Sequence, residues 1–214
     1  MSEDSNSWIE NSDVLSLFPT FVWNLQLKAK TCEAINADIR EVLSELCRDL
    51  PVLQPGEAWQ SDRELHKLDK LKGLVSCIDD SITQILRFLR IGYEVFEFTG
   101  CWANISAAGA SHRIHSHPNN FLSGVYYLQT RPGANSINFH DPRVQTSIIR
   151  PPVTSLTGHN TDQIAVKVTN GSLLVFPSYL QHSVDPNHSG EERISISFNI
   201  MFSGFTENLS KPLW

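Results

Sequence analysis

The sequence lacks several features that would assign it to particular protein classes. It has no block of Lys and Arg, and 17 basic against 23 acidic side chains give a net charge of −6, which argues against nucleic acid as a partner. No apolar run approaches the roughly 18 residues that span a bilayer. The four cysteines are scattered without a CxxC pair, so we expect reduced thiols rather than a disulfide framework or a zinc knot.

What is present fits an ordinary globular protein. Residues 1–7, MSEDSNS, are polar and acidic, unlike a signal peptide, and we therefore expect a cytoplasmic protein. A length of 214 residues fits a single domain, 1–214. We divide it into a helical N-terminal flank (1–92), a β-rich core (93–203) and a C-terminal tail (204–214).

The N-terminal flank predicts one strand and two helices. Leu15–Leu27 has the apolar pattern of an extended, largely buried entry strand. Thr31 can cap a helix that runs to about Cys47, with apolar residues on one stripe. A second stripe with 3–4 spacing predicts a helix over about Lys70–Ile91. We expect both stripes to be packing faces.

From residue 93 onward, short β-rich runs alternate with turn residues, which predicts a sandwich or barrel. The predicted strands are 93–106, 112–117, 121–130, 135–140, 163–169, 172–177 and 192–203. Asn170-Gly171 between two of them predicts a hairpin. The long irregular stretch 143–162 is typical of a lid or binding loop.

Histidines form the most informative pattern in the sequence. His115 and His117 are one residue apart on an extended segment, so their side chains should point to the same side. His182 follows a distant apolar run, and a small β-barrel can assemble a metal site from two such segments. Imidazole suits iron, zinc, copper and nickel alike. The odd spacing of His112 from His115 points it to the other face, and we expect it to be peripheral.

The last predicted strand has one polar and one apolar face. Its polar positions are Arg193, Ser195, Ser197 and Asn199, and the alternating positions are Ile or Phe. An Arg followed by small hydroxyl side chains suits a wall that binds a carboxylate, because the guanidinium is a planar two-pronged donor. A solvent-facing strand with an incidental Arg is the alternative.

Three stretches of the C-terminal half, HSHPNNFLSGVYYLQ, SINFHDPR and NGSLLVFPSYLQHSVDPNHSGEERISISFNI, resemble the 2-oxoglutarate/Fe(II)-dependent oxygenases. They are most similar to the prolyl-hydroxylase-like branch, and within it to a bacterial oxygenase family of unassigned substrate. LFPTFVW and WQSDRELHKL in the N-terminal half also resemble that family. The implied fold is mainly β: a double-stranded β-helix, or distorted jelly roll of cupin-like type, with two flanking N-terminal helices.

The resemblance also implies a set of site residues. It places the metal ligands at His115 and His182, and the residue that binds the far carboxylate of 2-oxoglutarate at Arg193, with Ser195 two places on. Tyr126 or Tyr127 falls where a tyrosine often contacts the co-substrate. The implied cofactors are Fe(II), 2-oxoglutarate and O2. The implied reaction is hydroxylation of a small molecule or amino-acid side chain, with release of succinate and CO2.

One position departs from the family pattern. In the usual metal-binding motif, His-x-Asp/Glu…His, the second ligand is a carboxylate. His117 stands there, and we favour a three-histidine site of His115, His117 and His182. A carboxylate could instead come from Asp141 or Asp185. In a third interpretation His117 only orients His115 or the substrate, and the metal is weakly bound or absent.

Two rival functions follow from this departure. One is a three-histidine dioxygenase that needs no 2-oxoglutarate, and the other is a cupin-like binding module without catalysis. The Arg193 and Ser195 pattern favours the oxoacid-dependent enzyme. We expect a small-molecule or amino-acid substrate and neither a nucleic acid nor a membrane as partner; the N-terminal helices would suit a homodimer contact.

Overall fold

The computed structural model describes residues 8–92, 95–143, 149 and 151–204. Within them lie two α-helices, α1 (Ala29–Leu46) and α2 (Lys72–Phe88), and two 3-10 turns, Leu65–Lys67 and Asp69–Leu71. The ten described strands are β1 (Trp23–Gln26), β2 (Ala58–Gln60), β3 (Phe96–Ser106), β4 (His112–His115), β5 (Leu122–Gln129), β6 (Ser136–His140), β7 (Gln163–Lys167), β8 (Ser172–Pro177), β9 (His182–Val184) and β10 (Arg193–Phe202).

The strands form two antiparallel sheets. The large sheet has the order β1-β8-β5-β10-β3-β2, and the small sheet has the order β4-β9-β6-β7. From β3 to β10 the chain crosses repeatedly from one sheet to the other, as in a jelly roll. Side chains from both sheets line one cavity, so the two sheets face each other across it.

The large sheet is covered on both faces. On one face α1 and α2 bury stripes at helical spacing, among them Ile35 and Ile39 of α1 and Ile78 and Ile82 of α2, against β3, β5, β8 and β10. A second apolar cluster, which includes Phe139 of β6 and Phe176 of β8, lies between the sheets. Burial of these two sets of side chains is the main stabilising contribution to the fold. Neither described helix has the length and apolar character that crossing a bilayer requires.

The predicted mainly β fold with two N-terminal helices is confirmed, but some local predictions are wrong. Thr31 does not cap α1, which begins at Ala29 with Lys28 as its N-cap and no side-chain cap bond. The helix starts earlier because packing of its apolar stripe, rather than a local cap, decides where it begins. The entry strand is only Trp23–Gln26, and Leu15, Leu17 and Phe18 before it are exposed.

The predicted hairpin at Asn170-Gly171 is also wrong. Gly171 does make a turn, with φ of 83°, but β7 pairs with β6 and β8 pairs with β1 and β5. The turn therefore carries the chain from the small sheet to the large one. Turn residues specify a reversal of the chain, whereas the strand partners depend on distant residues. The strands β2 and β9 were also not predicted from the sequence pattern.

Candidate active site

Three histidines from two stretches of the small sheet come together at one end of the cavity. His115 ends β4 and lies directly opposite His182, the first residue of β9. His117 follows two residues later, and its backbone N–H donates to the Ser178 carbonyl at 2.9 Å. The ring centroids are 4.3 Å apart for His115 and His182, 5.1 Å for His115 and His117, and 5.2 Å for His117 and His182. One nitrogen from each ring lies within 4.8 Å of the other two.

Backbone hydrogen bonds orient two of these rings. His115 Nδ1 lies 2.8 Å from the Arg113 carbonyl oxygen, and His182 Nδ1 lies 3.0 Å from that of Leu180. A carbonyl can only accept, so Nδ1 carries a proton in both rings, and Nε2 is the nitrogen left to bind a metal. This is the arrangement by which metal-ligating histidines are usually fixed.

The surroundings of two of the three rings, His117 and His182, keep them neutral. Burial lowers the pKa of His117 and that of His182 to about 4. At neutral pH both imidazoles therefore lack the second proton and can donate a lone pair to a metal without first releasing it. The donor set, three imidazoles in reach of one point, fits a divalent transition-metal ion such as Fe(II).

Arg193 brings a positive charge into the same cavity. It is the first residue of β10, and only 4% of it is exposed. Its Nη2 donates to Ser106 Oγ at 3.4 Å, and its Nη1 is buried with no hydrogen-bond partner among the described residues. An unpartnered buried donor is costly, and none of the described residues lining the cavity is acidic. A carboxylate of 2-oxoglutarate could supply the acceptor that Arg193 Nη1 lacks.

The structure distinguishes the two tyrosine candidates. Tyr127 is buried and lines the cavity. Tyr126 points to the opposite face of β5, where its hydroxyl donates to Asn36 Oδ1 of α1 at 2.7 Å. Tyr126 as a co-substrate contact is therefore wrong, because adjacent strand residues face opposite sides. Ser195 is buried beside Arg193 and also lines the cavity.

Neither acidic alternative reaches the histidine cluster. The carboxylate of Asp141 accepts from Arg143 Nη2 at 2.6 Å, and this pairing holds the pKa of Asp141 below its usual range. It lines a separate groove. Asp185 Oδ1 accepts from Asn138 Nδ2 at 2.9 Å. The group of described side chains that could hold a metal contains neither residue, so the expectation of Asp141 as an alternative ligand is not supported by its position.

The expectation that His112 is peripheral is wrong. Its side chain lines the cavity together with Arg193 and Tyr127. The pairing of β4 with β9 shifts register between His112 and His115, and an irregularity of this kind breaks the alternation on which the prediction depended. Burial, followed by the charge of Arg193, lowers the pKa of His112 to about 4.

A polar network on the large sheet was not predicted. Asn104 Oδ1 accepts from Gln60 Nε2 at 2.7 Å and from Trp102 Nε1 at 3.2 Å, while Asn104 Nδ2 donates to Ser197 Oγ at 2.9 Å. All four side chains line the cavity. The alternation of Trp102, Asn104 and Ser106 with apolar residues was the available sequence signal. It showed a two-faced strand but not which face meets the cavity.

The predicted lid falls only partly within the described residues. Residues 144–148 and 150 of the stretch 143–162 lie outside them, and the described part contains turns and bends but no helix or strand. A lid function for this stretch stays a prediction.

Residues 100–199, which run from β3 to β10, match a family model described as "Putative 2OG-Fe(II) oxygenase". This segment contains the histidine cluster and Arg193. The match covers less than half of the chain, and over this segment it supports the predicted family, enzyme class and cofactors. No curated protein sequence matches the chain.

Solved structures of oxygenases share the fold. A prolyl-4-hydroxylase from Pseudomonas putida is 19% identical, with a TM-score of 0.59 over 86% of this chain and 94% of that one. A prolyl hydroxylase from Trichoplax adhaerens, in complex with a hypoxia-inducible-factor peptide, is 16% identical, with a TM-score of 0.58 over 89% and 87%. HygX from Streptomyces hygroscopicus, with nickel and 2-oxoglutarate bound, is 12% identical, with a TM-score of 0.59 over 86% and 83%. At these identities the likeness shows the fold.

Proposed function

We propose that this protein is an Fe(II)- and 2-oxoglutarate-dependent oxygenase that hydroxylates a small molecule or an amino-acid side chain and releases succinate and CO2. One observation carries the proposal. Three imidazoles and a buried guanidinium with an unpartnered Nη1 line the same cavity. A metal ion and a dicarboxylate would satisfy both sets of groups together.

The proposed ligands are His115, His117 and His182, each through one ring nitrogen. His115 and His182 are already oriented by their Nδ1 hydrogen bonds to backbone carbonyls, so little reorganisation is needed on binding. When bound, Fe(II) and 2-oxoglutarate supply the oxidising chemistry that splits the oxoacid and hydroxylates the substrate. His117, in place of a carboxylate, makes the site one unit more positive than the usual site of the family, which favours anionic ligands.

Arg193 is proposed to bind the distal carboxylate of 2-oxoglutarate, with Ser195 and Tyr127 as further donors. Burial of Arg193 removes competing water, and a charge-assisted hydrogen bond in such a place is stronger than one in solvent. Burial also raises the pKa of Tyr127, so that its hydroxyl keeps its proton and can donate. Apolar side chains of Val125, Phe176 and others line the same cavity and help to exclude water from the reaction.

The substrate class is proposed from chemistry and from the neighbours. The hydroxylases that share this fold include one with a peptide bound, and the polar network of Gln60, Asn104 and Ser197 offers donors and acceptors on the cavity wall. A homodimer through the helical flank and a cytoplasmic location belong to the same proposal. Neither a nucleic acid nor a membrane is proposed as a partner.

Metal analysis and product assay together test the proposed function. We expect the purified chain to bind one Fe(II) and to release succinate from 2-oxoglutarate even without a substrate, since uncoupled turnover is common in this family. Absence of metal and no thermal shift with Fe(II) and 2-oxoglutarate would instead support a binding module without catalysis.

The three-imidazole geometry also favours a second candidate, a dioxygenase in which the substrate itself binds the metal. Oxygen consumption separates the two candidates. The proposed enzyme consumes O2 only when 2-oxoglutarate is present, whereas the second candidate consumes it with its substrate alone. Arg193 favours the first candidate, because the second gives no role to the buried guanidinium and its unpartnered Nη1.

A further inference from the structure

His112 is the fourth histidine in the cavity and lies outside the sequence motif of the family. The register shift between His112 and His115 lets both side chains of β4 reach the same space. Their ring centroids are 6.4 Å apart. His112 is also close enough to Arg193 for the charge of the guanidinium to act on its ring, and both line the cavity together with Tyr127.

Its position does not make His112 a metal ligand. The described side chains whose ligand atoms lie within 4.8 Å of one another are His115, His117 and His182 only. His112 lines the same cavity as this group and Arg193. A dicarboxylate held between the histidine cluster and Arg193 would therefore lie within the space that His112 faces.

The ring nitrogens of His112 make no hydrogen bond within the described part of the chain, although its backbone pairs with Val184. One nitrogen of a neutral imidazole is always a donor. The described residues lining the cavity include no acidic side chain that could accept from it. His112 is thus a donor without an acceptor among the described residues, although its ring nitrogens, unlike Arg193 Nη1, are not fully buried.

We propose that His112 is a positioning residue that donates a hydrogen bond to a carboxylate of 2-oxoglutarate. This inference rests on the proposed function and extends it to a residue beyond the family motif. His112 is then a second hydrogen-bond donor to the co-substrate besides Arg193, and the two donors together make the cavity selective for a dicarboxylate. It contributes to co-substrate affinity and not to metal affinity.

The test uses His112→Leu, which removes the donor at similar volume, and His112→Gln, which keeps an N–H donor. His188→Leu is the matched control, because His188 is an exposed histidine away from the cavity. Under anaerobic conditions, Fe(II) affinity is measured by calorimetry, and 2-oxoglutarate affinity by titration of the visible absorption that the oxoacid gives when it chelates Fe(II).

We expect His112→Leu to bind Fe(II) as tightly as the unchanged protein and 2-oxoglutarate roughly ten- to hundredfold more weakly, as for the loss of a hydrogen bond to a charged group. His112→Gln should recover part of this loss, and His188→Leu should show none. Co-substrate affinity within twofold of the unchanged protein in His112→Leu, or loss of Fe(II) from it, would overturn the inference. If the unchanged protein itself shows no oxoacid absorption, the proposed function fails instead.

A measurement on the unchanged protein covers the case in which a variant does not fold. In the Zn(II) protein, the ring nitrogens of His112 are followed by NMR while 2-oxoglutarate is added. A hydrogen bond to a carboxylate should shift the resonance of the donor nitrogen in step with binding. A resonance that stays unchanged at saturation would contradict the proposed contact.

Discussion

The strands β10 and β4 supply side chains to one cavity, but they do so in different ways. β10 alternates regularly beside Arg193: Ile194, Ile196 and Phe198 are buried towards the helices, whereas Arg193, Ser195 and Ser197 line the cavity. β4 is irregular, and both His112 and His115 reach the cavity although they are three positions apart, which in a regular strand would place them on opposite faces.

This difference separates two uses of a strand. In β10 one face stabilises the fold and the other binds, so that the two roles can be changed independently. In β4 the irregularity breaks the alternation of side chains between the two faces, and it brings the imidazoles of His112 and His115 into one cavity. Irregular strand pairing is common next to active sites for this reason. Substitutions on the two strands should therefore differ in what they affect.

The largest effect should come from His115→Ala on β4. Loss of one of three ligands should weaken Fe(II) binding by more than about a hundredfold, since even residues that only support a ligand contribute about ten- to hundredfold. Metal content by elemental analysis and succinate release should fall together. His188→Ala should change neither, and a full complement of metal in His115→Ala would show that His115 is not a ligand.

Phe198→Ala should have the next largest effect, on stability. Phe198 is fully buried on the helix side of β10, and its ring fills the space beside Gly124, where an added Cβ would clash with Phe198 Cζ. We expect the free energy of unfolding in urea to drop by about 3–5 kcal/mol. A drop below 1 kcal/mol, or a selective loss of 2-oxoglutarate affinity, would contradict the claim that one face of β10 stabilises the fold and the other binds the co-substrate.

Arg193→Ala changes the other face of β10. We expect the KM for 2-oxoglutarate in succinate release to rise on the order of ten- to hundredfold, because a charge-assisted contact is lost. Bound Fe(II), measured in the same preparation, should stay at one per chain. Unchanged kinetics would remove the assignment of Arg193 to the co-substrate.

A smaller effect should distinguish the neighbouring tyrosines of β5. Tyr126→Phe removes the hydrogen bond to Asn36 of α1 and should lower the free energy of unfolding by about 1 kcal/mol without changing the KM for 2-oxoglutarate. Tyr127→Phe should instead raise that KM. The opposite assignment of the two effects would mean that β5 presents the other face to the cavity.

The smallest expected effect is the chemical labelling of Cys101 of β3, which is paired with Phe198 of β10. Burial raises the pKa of its thiol to about 12, so that very little thiolate is present at pH 8. We expect Cys101 to stay unmodified by a thiol reagent in the native protein and to react on unfolding, as mass spectrometry of the digested protein would show. Rapid labelling of Cys101 in the native protein would mean that solvent reaches the face of the large sheet on which the helices pack.

The sequence predicted the parts of this protein that depend on local periodicity or on a motif. Both helices, most strands, the histidine triad and the two faces of β10 belong to this group. Tyr126 and Tyr127 could not be told apart from the sequence. The motif locates the tyrosine only to within one residue, and a shift of one residue along a strand turns the side chain to the other face of the sheet. His112 was missed because an irregularity in β4 depends on its pairing with β9, which is distant in the sequence.

The polar network around Asn104 shows a further limit. The alternation in β3 was visible in the sequence, but it does not tell which partner sheet lies over the polar face. The same holds for Asn170-Gly171, whose turn was predicted and whose strand partners were not. Both depend on contacts between residues far apart in the chain.

A crystal structure of the chain loaded with Zn(II) in place of Fe(II), together with 2-oxoglutarate, tests the central claim most directly. We predict one metal ion with ring nitrogens of His115, His117 and His182 at about 2.1 Å, and a carboxylate of 2-oxoglutarate on Arg193 Nη1. A metal bound by a carboxylate in place of His117, or an oxoacid bound away from Arg193, would contradict the account.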